Sequence, residues 1–189
     1  KGPDMLLAAA APLLQSGAMT LEMIGDGPMM NELRAQVAEE GTDAAVTFHG
    51  WLPHGEVESV AGRCHMLTFP SIREFGGGVV LEAMALGLVP LIVDYAGPGE
   101  LVTAGTGLKI PIGPRAAIIK GLRTALKDVV ANPGQLGPMA EAGRARVFDH
   151  FTWHAKARQV ADVYEWTLPP AATRPDPLAL RPAPARRTS

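Results

Sequence analysis

Residues 70–90 read PSIREFGGGVVLEAMALGLVP. The run before it, His65–Phe69 (HMLTF), is short and apolar and reads as a strand that Pro70 ends. Gly76, Gly77 and Gly78 then form a turn, and a helix is expected over about residues 78–87. Val89–Val93 (VPLIV) is continuously apolar, as a strand covered on both faces should be, with Pro90 at its start. Strand, glycine turn, helix and buried strand in succession describe a βαβ unit with parallel strands. In open parallel sheets, ligands bind beyond the carboxyl ends of the strands, in the loops that lead into helices. The three glycines fall in such a loop.

The chemistry of this turn follows from its residue types. Glycines let the backbone approach a ligand without a Cβ in the way. The unpaired N–H groups at the start of the following helix suit an anion, above all a phosphate or diphosphate. Glu74 precedes the turn and Glu82 lies about one turn inside the helix. Carboxylates accept hydrogen bonds from hydroxyls, often two at once. Phosphate donors flanked by two hydroxyl acceptors fit a nucleotide sugar. From residue types alone a plainer reading stands beside this one: a tight turn, an acidic residue near a helix start and a solvated Glu82.

Working outward, the same alternation continues. A helix over 4–16, bent or ended near Pro12, leads to a strand at Met19–Ile24 and the turn Gly25-Asp26-Gly27-Pro28. Met30, Leu33 and Val37 set a helical period within residues 29–40, with Gly41 as its cap. A strand at Val46–Phe48, a turn at Gly50–Pro53 and a helix near 54–62 follow. Beyond Val93, residues 107–110 form a short strand, and helices are expected near 114–130, 134–149 and 152–167. The fold class is therefore α/β: a Rossmann-like parallel sheet with helices on both faces, formed by residues 1–167. No internal repeat is evident.

Residues 168–189 differ in kind. From Pro169 on they hold six prolines, four arginines and one aspartate, with no aromatic, and are expected to be a disordered Pro/Arg-rich tail. The first 168 residues then carry 13 basic and 18 acidic groups, so an anionic ligand must be held by local groups. The whole chain, at a net charge of −2, gives no support to nucleic-acid binding through bulk positive charge. One cysteine, Cys64, excludes an internal disulfide and a cysteine-only metal site. Residues 5–14 are apolar but too short to span a bilayer, and the placement taken is cytoplasmic. The chain opens on Lys1 rather than Met, which reads as a fragment.

The whole string resembles the donor-site motif of family-four type retaining glycosyltransferases with the GT-B fold. The resemblance rests on Glu74 and Glu82 with seven residues between them, then Ala83-Met84-Ala85, Gly87 and Pro90. Gly25-Asp26-Gly27-Pro28, Phe48-His49-Gly50, Pro70-Ser71, Gly97-Pro98-Gly99-Glu100, Thr106-Gly107 and Phe151-Thr152-Trp153 agree with it, so it covers residues 1 to about 167. It implies the C-terminal, donor-binding half of such an enzyme. It places Glu82 on the ribose hydroxyls and Glu74 on the transferred sugar. The amides of Phe75, Gly76 and Gly77 would meet sugar and phosphates, within a loop that includes Gly78. Gly25 and Gly27 would line the donor cleft, and Lys1, followed by Gly2, would hold the diphosphate. A partner arginine is expected upstream of Lys1. The family order after the first glutamate is Gly-Phe-Gly or Pro-Phe-Gly; here it is Phe75-Gly76-Gly77, with the aromatic one place closer to Glu74.

The resemblance implies a nucleoside-diphosphate sugar, UDP- or GDP-linked, as donor, with transfer of a hexose to an acceptor hydroxyl. It implies neither a cofactor nor a metal. The acceptor, and any peripheral membrane contact, would belong to an absent N-terminal domain. A non-catalytic nucleotide- or partner-binding module and a nucleotide-sugar epimerase are the alternatives. Elsewhere, Cys64 reads as buried rather than nucleophilic, Trp51 as a packing residue that could approach a base, and Trp153 and Trp166 as core or interdomain packing. His150 and His154 stand four apart, but a helix break near Phe151–Thr152 separates them and argues against a metal pair.

Overall fold

The computed structural model describes residues 1–168; the expectation for the tail lies outside the described residues from Pro169 onward. In chain order the elements are α1 (Pro3–Gln15), β1 (Leu21–Ile24), α2 (Met30–Glu39), β2 (Val46–Gly50), α3 (His54–Ala61), β3 (Met66–Phe69) and α4 (Gly78–Ala85). They continue with β4 (Val89–Asp94), α5 (Ala96–Leu101), β5 (Leu108–Pro111), α6 (Arg115–Ala131), α7 (Leu136–His150) and α8 (Trp153–Thr167). Every strand pairing is parallel. The strands fall into two ladders, β1–β2 and β3–β4–β5, rather than one continuous sheet.

β4 is the centre of the larger ladder, and its side chains alternate between two cores, as strand geometry requires. Leu91 and Val93 join Ile110 and the helices α1, α2 and α6 on one face. Ile92 joins Val80, Met84, Leu101, Val102 and Val147, from α4 to α7, on the other. Helices thus cover both faces. Leu91, Ile92 and Val93 are fully buried, each contributing about 1.5–3 kcal/mol of hydrophobic stabilisation.

α1 does not end at Pro12 but runs three residues past it. Proline has no N–H for the carbonyl four residues earlier, which here is Ala8. Arg123 of α6 supplies the missing donor: its Nη2 donates to Ala8 O at 2.6 Å and its Nε to Ala9 O at 3.3 Å. A tertiary contact thus carries the helix through a residue that would otherwise stop it.

α5 was not foreseen as a helix, because Gly97, Pro98 and Gly99 carry poor helical propensity. Proline is tolerated in a first turn, where its N–H would have no intrahelical partner. The break between α7 and α8 falls at Phe151–Thr152 as expected, and Thr152 caps α8 by accepting from Ala155 N–H at 3.2 Å. Among the described residues, no helix is long and apolar enough to cross a membrane.

Candidate functional site

The glycine turn lies where β3 hands over to α4, and a second loop locks it from behind. Gly77 caps α4 in the left-handed region, φ +70°, and a Cβ there would sit 2.9 Å from the Pro98 ring. Gly97 donates its N–H to Phe75 O at 3.0 Å, and a Cβ on Gly97 would lie 2.2 Å from that oxygen. The β3–α4 and β4–α5 loops are therefore interlocked at van der Waals distance. Lys109 on β5 secures the second loop, donating to Asp94 Oδ1 at 2.8 Å and to Gly99 O at 3.0 Å. Ala96, at φ +48°, is the non-glycine residue with positive φ among the described residues, a strained conformation at this corner. Sequence reasoning noted Gly97-Pro98 but not Lys109 or Asp94. Their signal is tertiary.

Glu74 lies at the positive end of α4. One carboxylate oxygen accepts from Phe75 N–H at 3.2 Å and from Gly77 N–H at 3.4 Å. The other is paired with the Lys1 ammonium. The hydrogen bond from Lys1, above all, holds the Glu74 carboxyl below the usual carboxylate range. Partial desolvation opposes this, and the Gly77 and Phe75 amides and the charge of Lys1 add to it. The first bond back into α4 comes from Val80 N–H to Gly77 O at 2.9 Å. The Phe75 and Gly77 amides and the Lys1 ammonium thus converge on one carboxylate of the protein itself.

Glu82 is exposed on α4 and forms part of the wall of an open cavity of about 1470 Å³. Lys1, Gly25, Trp51 and Arg63 share that wall. Lys1 therefore belongs to both places: it pairs with Glu74 and it faces the cavity. Gly76, Gly77 and Gly78 are not among the lining residues, and neither is Gly27. Gly25, at φ +121°, donates its N–H to Gly50 O at 2.7 Å and ties the β1 end to the β2 end. Gly27 is spent on its own turn, donating to Asp26 Oδ1 at 2.7 Å while its carbonyl receives Met30 N–H.

The exposure of three aromatic residues bears on the sequence reading. Trp51 is 76% exposed, so it is a rim residue rather than a packing one. Trp153 is 92% exposed and lies outside the core of this domain. Phe75 is 95% exposed, so the shifted aromatic projects to solvent. Cys64 is partly buried; desolvation first, then the Glu22 charge, raises its thiol pKa and keeps it protonated. Among the described residues, no three of the types His, Cys, Asp and Glu cluster as a metal site would need.

Residues 1–143 match the family model described as glycosyl transferases group 1. The chain belongs to that family. It is 30% identical over 169 residues to 2-deoxystreptamine glucosyltransferase of Streptomyces kanamyceticus, a match covering 89% of this chain and 43% of that protein. It is 32% identical over 146 residues to glycogen synthase of Mycobacterium tuberculosis, covering 77% and 34%. This group 1 chain thus spans less than half the length of these curated relatives. Among solved structures it resembles Anabaena Alr3699/HepE in complex with UDP, at a TM-score of 0.73 and 21% identity, over 87% of this chain and 45% of that one. The C-terminal domain of a group 1 family protein (LpcC) from Francisella tularensis matches at a TM-score of 0.68 and 20% identity, over 78% of each chain. These likenesses show the fold: this chain has the architecture of one half of a GT-B glycosyltransferase.

Proposed function

We propose that this chain is the donor-binding half of a retaining hexosyltransferase that uses a nucleoside-diphosphate sugar. One observation carries the reading: an ammonium and two loop amides converge on a single anionic group, Glu74, at the N-terminus of α4. Those are the donors a diphosphate requires. On donor binding, Lys1 and the loop amides turn to the phosphates, and Glu74 is released toward the sugar. Glu82 takes the ribose hydroxyls from the cavity wall. Gly25 lines the nucleotide's side of the cleft, and Gly27 shapes the turn behind it.

The chemical demand is charge. As the bond from the anomeric carbon to the diphosphate breaks, the electron pair leaves with the diphosphate. Lys1 and the Gly76–Gly78 amides, once turned to the phosphates, stabilise that growing negative charge. This reading needs no protein nucleophile. The acceptor hydroxyl would be brought by a second domain, which accords with the half-length match to the relatives. Uracil and guanine donors both have precedent: the solved HepE structure holds UDP, and a mannosyltransferase relative of Mycolicibacterium smegmatis, 26% identical over 174 residues, is GDP-mannose-dependent.

Calorimetric titration of the chain with UDP and with GDP tests this. Binding of one of them is expected, weakened about tenfold or more by Glu82→Ala through loss of the ribose contacts. Equal binding by both proteins would remove Glu82 from the site.

A further inference from the structure

Two exposed aromatic rings stand at the glycine turn without a role in the donor reading. Phe75 is 95% exposed and Tyr95 is 41% exposed. An exposed ring on a loose loop carries little meaning, but these two spring from fixed backbone. Phe75 O accepts from Gly97 N–H at 3.0 Å. Tyr95 donates its N–H to Val93 O at 2.8 Å, and its carbonyl accepts from Gly99 N–H at 3.3 Å. Ala96, between Tyr95 and Gly97, carries the strained φ of +48°. Two loops joined backbone to backbone thus hold two aromatic side chains out in water. That exposure gains the isolated fold nothing, and large apolar side chains held so mark a contact surface.

Their place suggests what they meet. Neither ring lines the large cavity that Lys1 and Glu82 share. Phe75 directly follows Glu74, so its ring starts beyond the Lys1–Glu74 pair as seen from that cavity. In the donor reading, the order outward from the cavity is nucleoside, diphosphate, transferred hexose and then acceptor. The hexose is held against Glu74 and the turn amides, close to the backbone. A ring that is 95% exposed covers almost none of that turn, so it faces the group one step farther out.

The neighbours narrow the chemistry. Arg73 and Asp94, both exposed, border the two aromatics in sequence. Charges of both signs interrupt the apolar surface, unlike the continuous patch that a protein or lipid partner prefers. Flat apolar faces edged by a guanidinium and a carboxylate match a sugar ring. A pyranose presents a face of C–H groups, which suits the electron-rich face of an aromatic ring, and a rim of hydroxyls that both donate and accept.

We propose that Phe75 and Tyr95 form an acceptor subsite, a stacking platform for a pyranose ring of a carbohydrate acceptor. The assignment to the acceptor rests on the donor reading, which it deepens by naming the acceptor's class. The sugar lies with its C–H face on the aromatic rings and its hydroxyls toward Arg73 and Asp94.

The 189-residue chain is titrated with the methyl α-glycosides of glucose, mannose and galactose. Each is added alone and with saturating UDP-glucose or GDP-mannose, and the ring protons of Phe75 and Tyr95 are followed by NMR. At least one glycoside should shift both rings, whether or not nucleotide sugar is present. Phe75→Leu, at a surface site that folding does not depend on, should weaken that binding about fivefold or more. Ile112→Ala, at an exposed apolar site outside the platform, should leave it unchanged. Silent rings with every glycoside, or equal binding by Phe75→Leu, would overturn the proposal. So would displacement of the glycoside by the nucleotide sugar, which assigns the rings to the transferred hexose. Ring shifts with UDP or GDP alone would assign them to the nucleotide, and shifts that follow chain concentration would assign them to a second copy. The donor reading fails separately. Rings that answer a glycoside while the glycine-turn amides ignore both nucleotides would sink that reading and leave the sugar platform standing. Turn amides that answer a nucleotide while the rings ignore every glycoside would sink the platform alone.

Discussion

β4 and β1 are both short parallel strands, yet they live in different environments. Five of the six residues of β4 are buried, whereas no residue of β1 or β3 is. The difference is pairing. β4 has a strand on each side and helices on each face; β1 and β3 each have one bare edge against the cavity. Apolar content alone does not bury a strand: Met66 and Leu67 are as apolar as Leu91 and Ile92 but remain partly exposed. Burial is accordingly concentrated in β4 and its helices, while the open edges lie where burial is lower.

The largest test of that contrast is truncation. Leu91→Ala should cost about 2–5 kcal/mol in urea denaturation, since it leaves a cavity in a closed core. Met23→Ala on β1 should cost about 1 kcal/mol, an ordinary value for a partly exposed site. Comparable losses would erase the distinction. Next in size is Gly97→Ala, which forces a methyl group against Phe75 O and should cost about 1–3 kcal/mol while displacing the glycine turn. Loop amide shifts that stayed unchanged would mean the interlock is loose.

Arg123→Ala should lose about 1–3 kcal/mol by leaving the Ala8 carbonyl without a donor. In a Pro12→Ala background the helix supplies its own N–H to Ala8, so the same change should cost clearly less. Additive losses in that double-mutant cycle would remove the proline from the explanation.

Much of the fold was legible. The strand–turn–helix–strand run at 65–93 could be read because its signals are local: short apolar runs, glycines and a proline at a strand start. Helix α8 and the break before it were readable for the same reason. What escaped reading depended on distant residues. α1 passes through Pro12 because of Arg123, which is 111 positions away. α5 forms on glycines because β5 sends Lys109 back to Asp94 and Gly99. The split into two ladders has no local signal at all. At the site, residue types and spacing suggested an anion pocket, and resemblance placed Lys1 there. Neither foresaw that Glu74 would itself engage those groups, because that requires knowing where Lys1 and the Gly77 amide meet in space.

The smallest expected effect concerns that self-engagement. The Glu74 pKa is lowered in the folded state, so its contribution to stability is present above the ordinary carboxylate range and is lost as pH falls through the folded value. An NMR titration of the Glu74 carboxyl should show its inflection below the ordinary range, moving upward in Lys1→Ala. An inflection that ignored Lys1 would separate the two residues.

The central claim is that the interlocked turn, rather than the floor of the open cavity along β1 and β3, receives the donor diphosphate. The most direct measurement is an amide NMR titration of the chain with UDP and GDP. The account predicts that the Gly76, Gly77 and Gly78 amides shift together with the Glu74 carboxyl, while those of β1 and β3 below their carboxyl ends stay in place. Shifts confined to β1 and β3, with the glycine turn silent, would contradict it.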